Sequence, residues 1–303
     1  MKNKQHSCCI EIAEINLLIV FHGANSKIIE YFSERYKLFF SKSTRHDFII
    51  NVFEERKTAF RKRYFVDVDK GNLNNLISFS SEFSFFEKDG NMIFVSSFML
   101  GFINLAKRNI SVYILTMGKN HYVVGQLNRF LVAIFYNVFA FHYNFLILHA
   151  SAVRMKDGII AFLGQSAAGK TTLMKLFPAA DLFCDDRLIV KIRKEVTAFS
   201  TPWSKWDKES IKFSPDKGIL RMIFLLGKKY GRYTRIKEVD LLTALKFARR
   251  DSFYFYKYIN HQKADGKRWL DFLSAVKYNI IDFSVRPNTC YAIKEYYERR
   301  KNI

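Results

Sequence analysis

The pattern of apolar and polar positions predicts a strand over Ile10–Phe21 and an amphipathic helix over Lys27–Phe40. β-rich runs follow at His46–Val52 and Arg63–Val68. Phe83–Phe86 and Met92–Ser97 read as the arms of a hairpin, because the Asp-Gly step within Lys88-Asp89-Gly90-Asn91 supplies the positive φ that tight turns require. A strand over Ser111–Thr116 then leads to Gly118-Lys119-Asn120, where the periodicity breaks. A boundary there divides the chain into an N-terminal mixed α/β domain, 1–120, and a second domain, 121–303. The second domain opens with a helix over Gln126–Tyr143 and a strand over Phe145–Arg154. Lys156-Asp157-Gly158 turns that strand into another, Gly158–Leu163. The fold class expected is therefore α/β.

The middle of this pattern raises a membrane question. Phe130–Leu148 is almost wholly apolar and about as long as a spanning helix. Asn137, His142 and Asn144 interrupt it, and a buried helix running into a buried strand explains the same run without a bilayer. The N-terminal stretch Met1–Phe21 carries Glu11 and Glu14 within its apolar part and no small-residue cleavage site, so a secretory signal is not expected.

Composition changes this picture little. Hydrophobic residues at 49% and charged residues at 25% fit a folded chain with a packed core rather than a disordered one. The formal charge of +21 would attract nucleic acid, anionic lipid or nucleotide alike. The basic residues are scattered, with short clusters at Arg61-Lys62-Arg63, Lys228-Lys229 and Arg299-Arg300-Lys301, which points to a composition bias more than to a nucleic-acid surface. Cys8, Cys9, Cys184 and Cys290 make neither a disulfide framework nor a CxxC site, which suits a reducing cytoplasm.

Gly164-Gln165-Ser166-Ala167-Ala168-Gly169-Lys170-Thr171 matches G-x-x-x-x-G-K-[ST] at every fixed position. Phosphates need a concave array of backbone N–H groups, which the glycines allow and the small residues between them keep open. Lys170 would reach the β- and γ-phosphates, and Thr171 would ligate Mg²⁺ bridging the same oxygens. The apolar strand before the loop and the helical character of Thr172–Phe177 after it supply the context that the motif requires. Nucleotide binding is thus expected at residues 164–172.

Downstream, Asp185 and Asp186 interrupt Leu182–Val190, an otherwise strand-like run where β-propensity disfavours Asp. Two such carboxylates could divide metal binding and proton acceptance between them, or form a solvated turn with Arg187. His149 ends the run Phe145–Leu148, close enough in sequence to the hairpin to reach the loop or the acids.

Leu148-His149-Ala150-Ser151-Ala152-Val153, the loop and Cys184-Asp185-Asp186 together resemble the core of the HPr kinase/phosphorylase-like proteins, whose fold is a phosphoenolpyruvate carboxykinase-like P-loop fold. Ser200-Thr201-Pro202-Trp203-Ser204, Leu220–Leu226 and Ile281–Pro287 resemble later parts of that core, so the likeness spans about Gln126–Pro287. It implies an ATP- and Mg²⁺-dependent kinase in which Lys170 and Thr171 hold phosphate and metal and His149 lies near the reacting phosphate. It further implies that Asp185 is the base and Asp186 the metal partner, or the reverse. Lys191–Ser200 holds Glu195 alone and lacks the acidic signature of the HPr kinases proper, so HPr itself is a poor substrate candidate. A serine of another peptide or protein is the expected acceptor, with a small molecule next. The likeness also raises a homo-oligomer.

Competing classes are an ATP-binding regulatory module without transferase activity and, from charge alone, a nucleic-acid binder. Trp203, Trp206, Tyr230 and Tyr233 could stack an adenine but read more simply as core. Lys228, Lys229, Arg232 and Arg235 read as a solvated loop.

Overall fold

A computed structural model describes residues 5–23, 26–55, 76–79, 83–88, 90–96, 98–115, 120–203, 213, 215–227, 233–252 and 262–300. It is mixed α/β, with two sheets and several helices. The described residues up to Asn137 make one compact unit and those from Val138 onward a second. The predicted strand Arg63–Val68 lies outside the described residues.

In the first unit the strands are β1 (Gln5–Ile12), β2 (Ile15–His22), β3 (Phe48–Glu55), β4 (Leu76–Phe79), β5 (Phe83–Lys88), β6 (Asn91–Ser96), β7 (Met99–Asn104) and β8 (Asn109–Leu115). They form an eight-stranded sheet in the order β1-β2-β3-β8-β7-β6-β5-β4. Where one strand is predicted over Ile10–Phe21, two form an antiparallel hairpin, turned through Ala13 (φ 52°) and Glu14 (φ 65°). The hairpin expected around Gly90 is present, with Gly90 at φ 70°.

Helices α1 (Ser26–Tyr36) and α2 (Asn120–Ile134) belong to this unit. Tyr36 donates its hydroxyl to Asn128 at 2.7 Å, and the Phe130 ring meets Phe94 edge-on at 5.1 Å, where Gly101 leaves room for it. These contacts tie α2 to the first sheet, so the units divide downstream of the Gly118–Asn120 break. Beyond α2 the helix runs through a π-helical stretch, Phe135–Phe139, to Ala140–His142. By length and composition Val123–His142 could cross a membrane, but 83% of its most apolar window is buried, as in a core helix.

The second unit holds β9 (Phe145–Leu148), β10 (Ala150–Met155), β11 (Gly158–Leu163), β12 (Leu182–Cys184), β13 (Leu188–Ile192), β14 (Val196–Phe199), β15 (Lys217–Leu226), β16 (Arg235–Glu238) and β17 (Lys277–Asp282). The strand predicted over Phe145–Arg154 is broken at His149. Its halves go to different parts of the sheet system, β9 beside β13 and β10 between β11 and β12. β15 joins those parts: its first residues pair with β14, and Leu220–Leu226 lie parallel to β11 and β17.

Alternation along β11 loads both faces. Ile159, Ala161 and Leu163 enter a core with Trp269, Phe272 and Leu273 of helix α5 (Gln262–Ala275), and with Ala244 of α4 (Leu241–Ser252). Ile160 and Phe162 enter a second core with Leu173 and Met174 of helix α3 (Lys170–Met174) and Ile293 and Tyr297 of α6 (Pro287–Arg300). Trp269 is the largest wholly buried side chain among the described residues. Trp269→Ala should lower stability by about 3–5 kcal/mol, read as a fall in the urea midpoint with little change in slope. A loss below about 1 kcal/mol would show that this core does not depend on it.

Candidate functional site

The two segments that carry the acids and the histidine run antiparallel. Leu148 pairs with Leu188 and Ala152 with Cys184, in the same register on both sides of a gap. Within the gap, His149–Ser151 face Asp185–Arg187 where β9 gives way to β10 and β12 to β13. Side chains there meet without ladder pairing between the segments. Ser151 Oγ donates to Asp185 Oδ1 at 2.6 Å, and His149 Nε2 lies 2.9 Å from Asp186 Oδ1.

The loop Gly164–Thr171 leaves the end of β11 and approaches the same gap. Thr171 Oγ1 donates to Asp185 Oδ1 at 3.1 Å, so this carboxylate oxygen takes hydroxyl protons from both Ser151 and Thr171. The other oxygen, Oδ2, is buried and accepts no hydrogen bond, although Asp185 is only 1% exposed. An unpartnered carboxylate oxygen at such depth is costly unless something else completes it.

The loop's shape follows from its residues. A Cβ on Gly164 would lie 3.0 Å from Ala168 Cβ and 3.1 Å from Leu226 Cβ, tighter than ordinary van der Waals contact. Gly169 adopts φ 97° and Ala167 φ 65°, the latter costing roughly 1–2 kcal/mol in a residue with a Cβ. Lys170 is buried and turns into the loop, donating to the carbonyls of Gly164 at 2.7 Å and Gln165 at 2.9 Å. The helix expected over Thr172–Phe177 is shorter and earlier, Lys170–Met174, followed by single turns up to Phe177.

Asp186 is also in the left-handed region, at φ 71°, and lies between His149 and Arg187, whose Nη1 is 3.5 Å from Asp186 Oδ2. The solvated turn considered for the acid pair is not what forms: both carboxylates are buried. Thr201 steadies this turn by donating Oγ1 to the Arg187 carbonyl at 2.6 Å. Cys184 places Sγ 3.0 Å from that same carbonyl.

The structure thus gathers His149, Lys170, Thr171, Asp185 and Asp186 into one region and adds Ser151 and Thr201, to which the sequence gives no role. The sequence reading favours Thr171 with Asp186 as the metal pair, but the hydroxyl of Thr171 meets Asp185. Gln165, Ser166, Ala167, Ala168 and Thr172 complete the loop and the first turn after it. Among the described residues no three His, Cys, Asp or Glu side chains converge as a metal cage. Trp203 is buried, Tyr233 is exposed, and Trp206, Tyr230, Lys228, Lys229 and Arg232 lie outside the described residues.

Neither a scan against protein-family models nor a search of curated protein sequences finds a match to this chain.

Burial pushes the Cys184 thiol up to about 12; the neighbouring Asp185 and Asp186 add to the rise, and hydrogen bonds with Thr201 partly oppose it. With the folded value that high, only about one thiol in ten thousand is thiolate at pH 8, and the thiolate is the reacting form. Native protein at pH 8 should therefore resist iodoacetamide at Cys184 and react there once unfolded in urea, as followed by peptide mass spectrometry. Equal labelling in both states would contradict the buried geometry.

Proposed function

We propose that this chain is a Mg·ATP-dependent kinase that transfers the γ-phosphate to a hydroxyl, with a serine of a peptide or protein as acceptor. On this reading the second unit is an HPr kinase-like core of the phosphoenolpyruvate carboxykinase-like P-loop type, working in the cytoplasm. The observation that carries the proposal is the meeting of Thr171, the last residue of the G-x-x-x-x-G-K-[ST] loop, with a buried carboxylate that has one unpartnered oxygen.

These residues fit Mg²⁺. The ion favours hard oxygen ligands, takes one or two from protein and fills its shell with water and phosphate oxygens, so no larger cage is needed. Thr171 Oγ1 and Asp185 would hold it, and when bound it would supply charge neutralisation of the phosphates. The Thr171–Asp185 contact supports the reverse order of roles for the two acids, with Asp185 as metal partner.

Asp186, held by His149 and Arg187, is then the group that accepts the proton of the acceptor hydroxyl as its oxygen bonds to phosphorus and the bond to the leaving ADP oxygen breaks. Lys170 leaves the loop carbonyls for the β- and γ-phosphate oxygens. Gly164 and Gly169 let residues 164–172 pass close to the phosphates. The remaining work is positioning, which is how most of the barrier to phosphoryl transfer is lowered.

Incubation with γ-labelled ATP and Mg²⁺, against host lysate fractions, should label a discrete protein acceptor. Lys170→Ala should reduce that label by about a hundredfold or more, in line with removal of one charge-stabilising donor. Asp186→Asn should retain nucleotide binding while losing transfer. A Lys170→Ala variant with full activity would overturn the assignment. Tight ATP binding with no labelled acceptor would assign a regulatory module, and label on a small metabolite a small-molecule kinase.

A further inference from the structure

The described residues offer several features that the proposed reaction leaves unused: the buried thiol of Cys184, the exposed Tyr233 and Tyr291, and the buried hydroxyl of Ser151. Only Ser151 joins the proposed chemistry directly, and the inference drawn from it rests on the reading given above.

Ser151 is fully buried on β10. Its neighbours Ala150 and Ala152 point into the apolar core, while its own side chain turns to the other face and meets Asp185. A hydroxyl has one proton, and at 2.6 Å from Oδ1 it is given to that oxygen. Thr171 gives its proton to the same atom at 3.1 Å. Two donors on Oδ1 leave Oδ2 as the acceptor without a partner.

The arrangement also fixes the direction of Thr171. With its proton given to Oδ1, the lone pairs of its oxygen stay available to a metal ion. Ser151 keeps Oδ1 in place as the receiver of that proton. Without it, the terminal torsion of Asp185, which is broad, loses its shorter restraint and is held through Thr171.

We infer that Ser151 is a positioning residue for the divalent cation: it clamps Oδ1 of Asp185 so that Oδ2 and the lone pairs of Thr171 converge on the metal that accompanies the nucleotide. Ser151 itself touches neither metal nor phosphate. Its removal therefore weakens what Mg²⁺ adds to nucleotide binding and leaves the contacts of the loop with the phosphates in place.

The test is a set of calorimetric titrations with ATP, in EDTA and in saturating Mg²⁺, on the intact wild-type chain and on Ser151→Ala and Ser151→Cys. A hydrogen bond to a charged group predicts that Ser151→Ala lowers the Mg²⁺-dependent gain in affinity about tenfold or more. Affinity in EDTA should stay within about twofold, and Ser151→Cys, a weak donor of similar shape, should recover part of the gain. An unchanged Mg²⁺ gain in Ser151→Ala, with wild type binding normally, would overturn this inference alone. Equal losses with and without Mg²⁺ would assign Ser151 a structural role and also overturn it. A wild type that binds no ATP under either condition would remove the nucleotide reading and this inference with it.

Discussion

Where two antiparallel segments of the second unit part for three residues, polar groups facing the gap have no ladder partner across it, although Ala150 and Ser151 still pair with β11. Interior polar groups left alone are costly. Ser151 and Thr171 answer one oxygen of Asp185, His149 and Arg187 answer Asp186, and Thr201 answers the carbonyl of Arg187. The network is thus a requirement of the parting strands. The atom it leaves over is Asp185 Oδ2, one of several buried polar atoms without a hydrogen-bond partner among the described residues.

The loop is bound to the same frame through β11 and β15. Leu226, at the end of β15, lies directly beneath Gly164, and a Cβ on Gly227 would collide with the carboxylate of Asp282 at the end of β17. The ends of the three parallel strands β11, β15 and β17 therefore lie close together, with glycines at two close approaches. That edge of a parallel sheet is where ligands of α/β proteins habitually bind. Side chains from three separate stretches of the chain reach the region because one strand, β15, serves both halves of the sheet system.

Much of this was legible in the residues, and the failures have physical causes. The Asp-Gly turn near residue 90 announced its hairpin, whereas Ala13-Glu14 made an equally tight turn without the glycine or asparagine that normally marks one. The break at His149 was hidden because β9 and β10 are both buried through and read as one apolar run. The loop, the acid pair and the histidine stood out by residue type and spacing. Ser151 and Thr201 did not, since a hydroxyl within β-rich sequence is ordinary and its partner is set by tertiary register. Which of Asp185 and Asp186 meets Thr171 likewise depends on the direction in which each side chain leaves the turn.

The parallel pairing of β11 with β15 bears on how the molecule comes to exist. Residues near 160 must find residues near 222, and those must in turn find residues near 279, before the three strand ends can meet. Closing such long stretches of chain is slow compared with forming hairpins or helices, and topologies rich in distant pairings fold over about milliseconds to seconds. During synthesis from the N-terminus, the loop and both acids emerge well before β17. The chemistry-bearing residues thus wait on the last strand, and a nascent chain holds every one of them in sequence before it can bring them together in space.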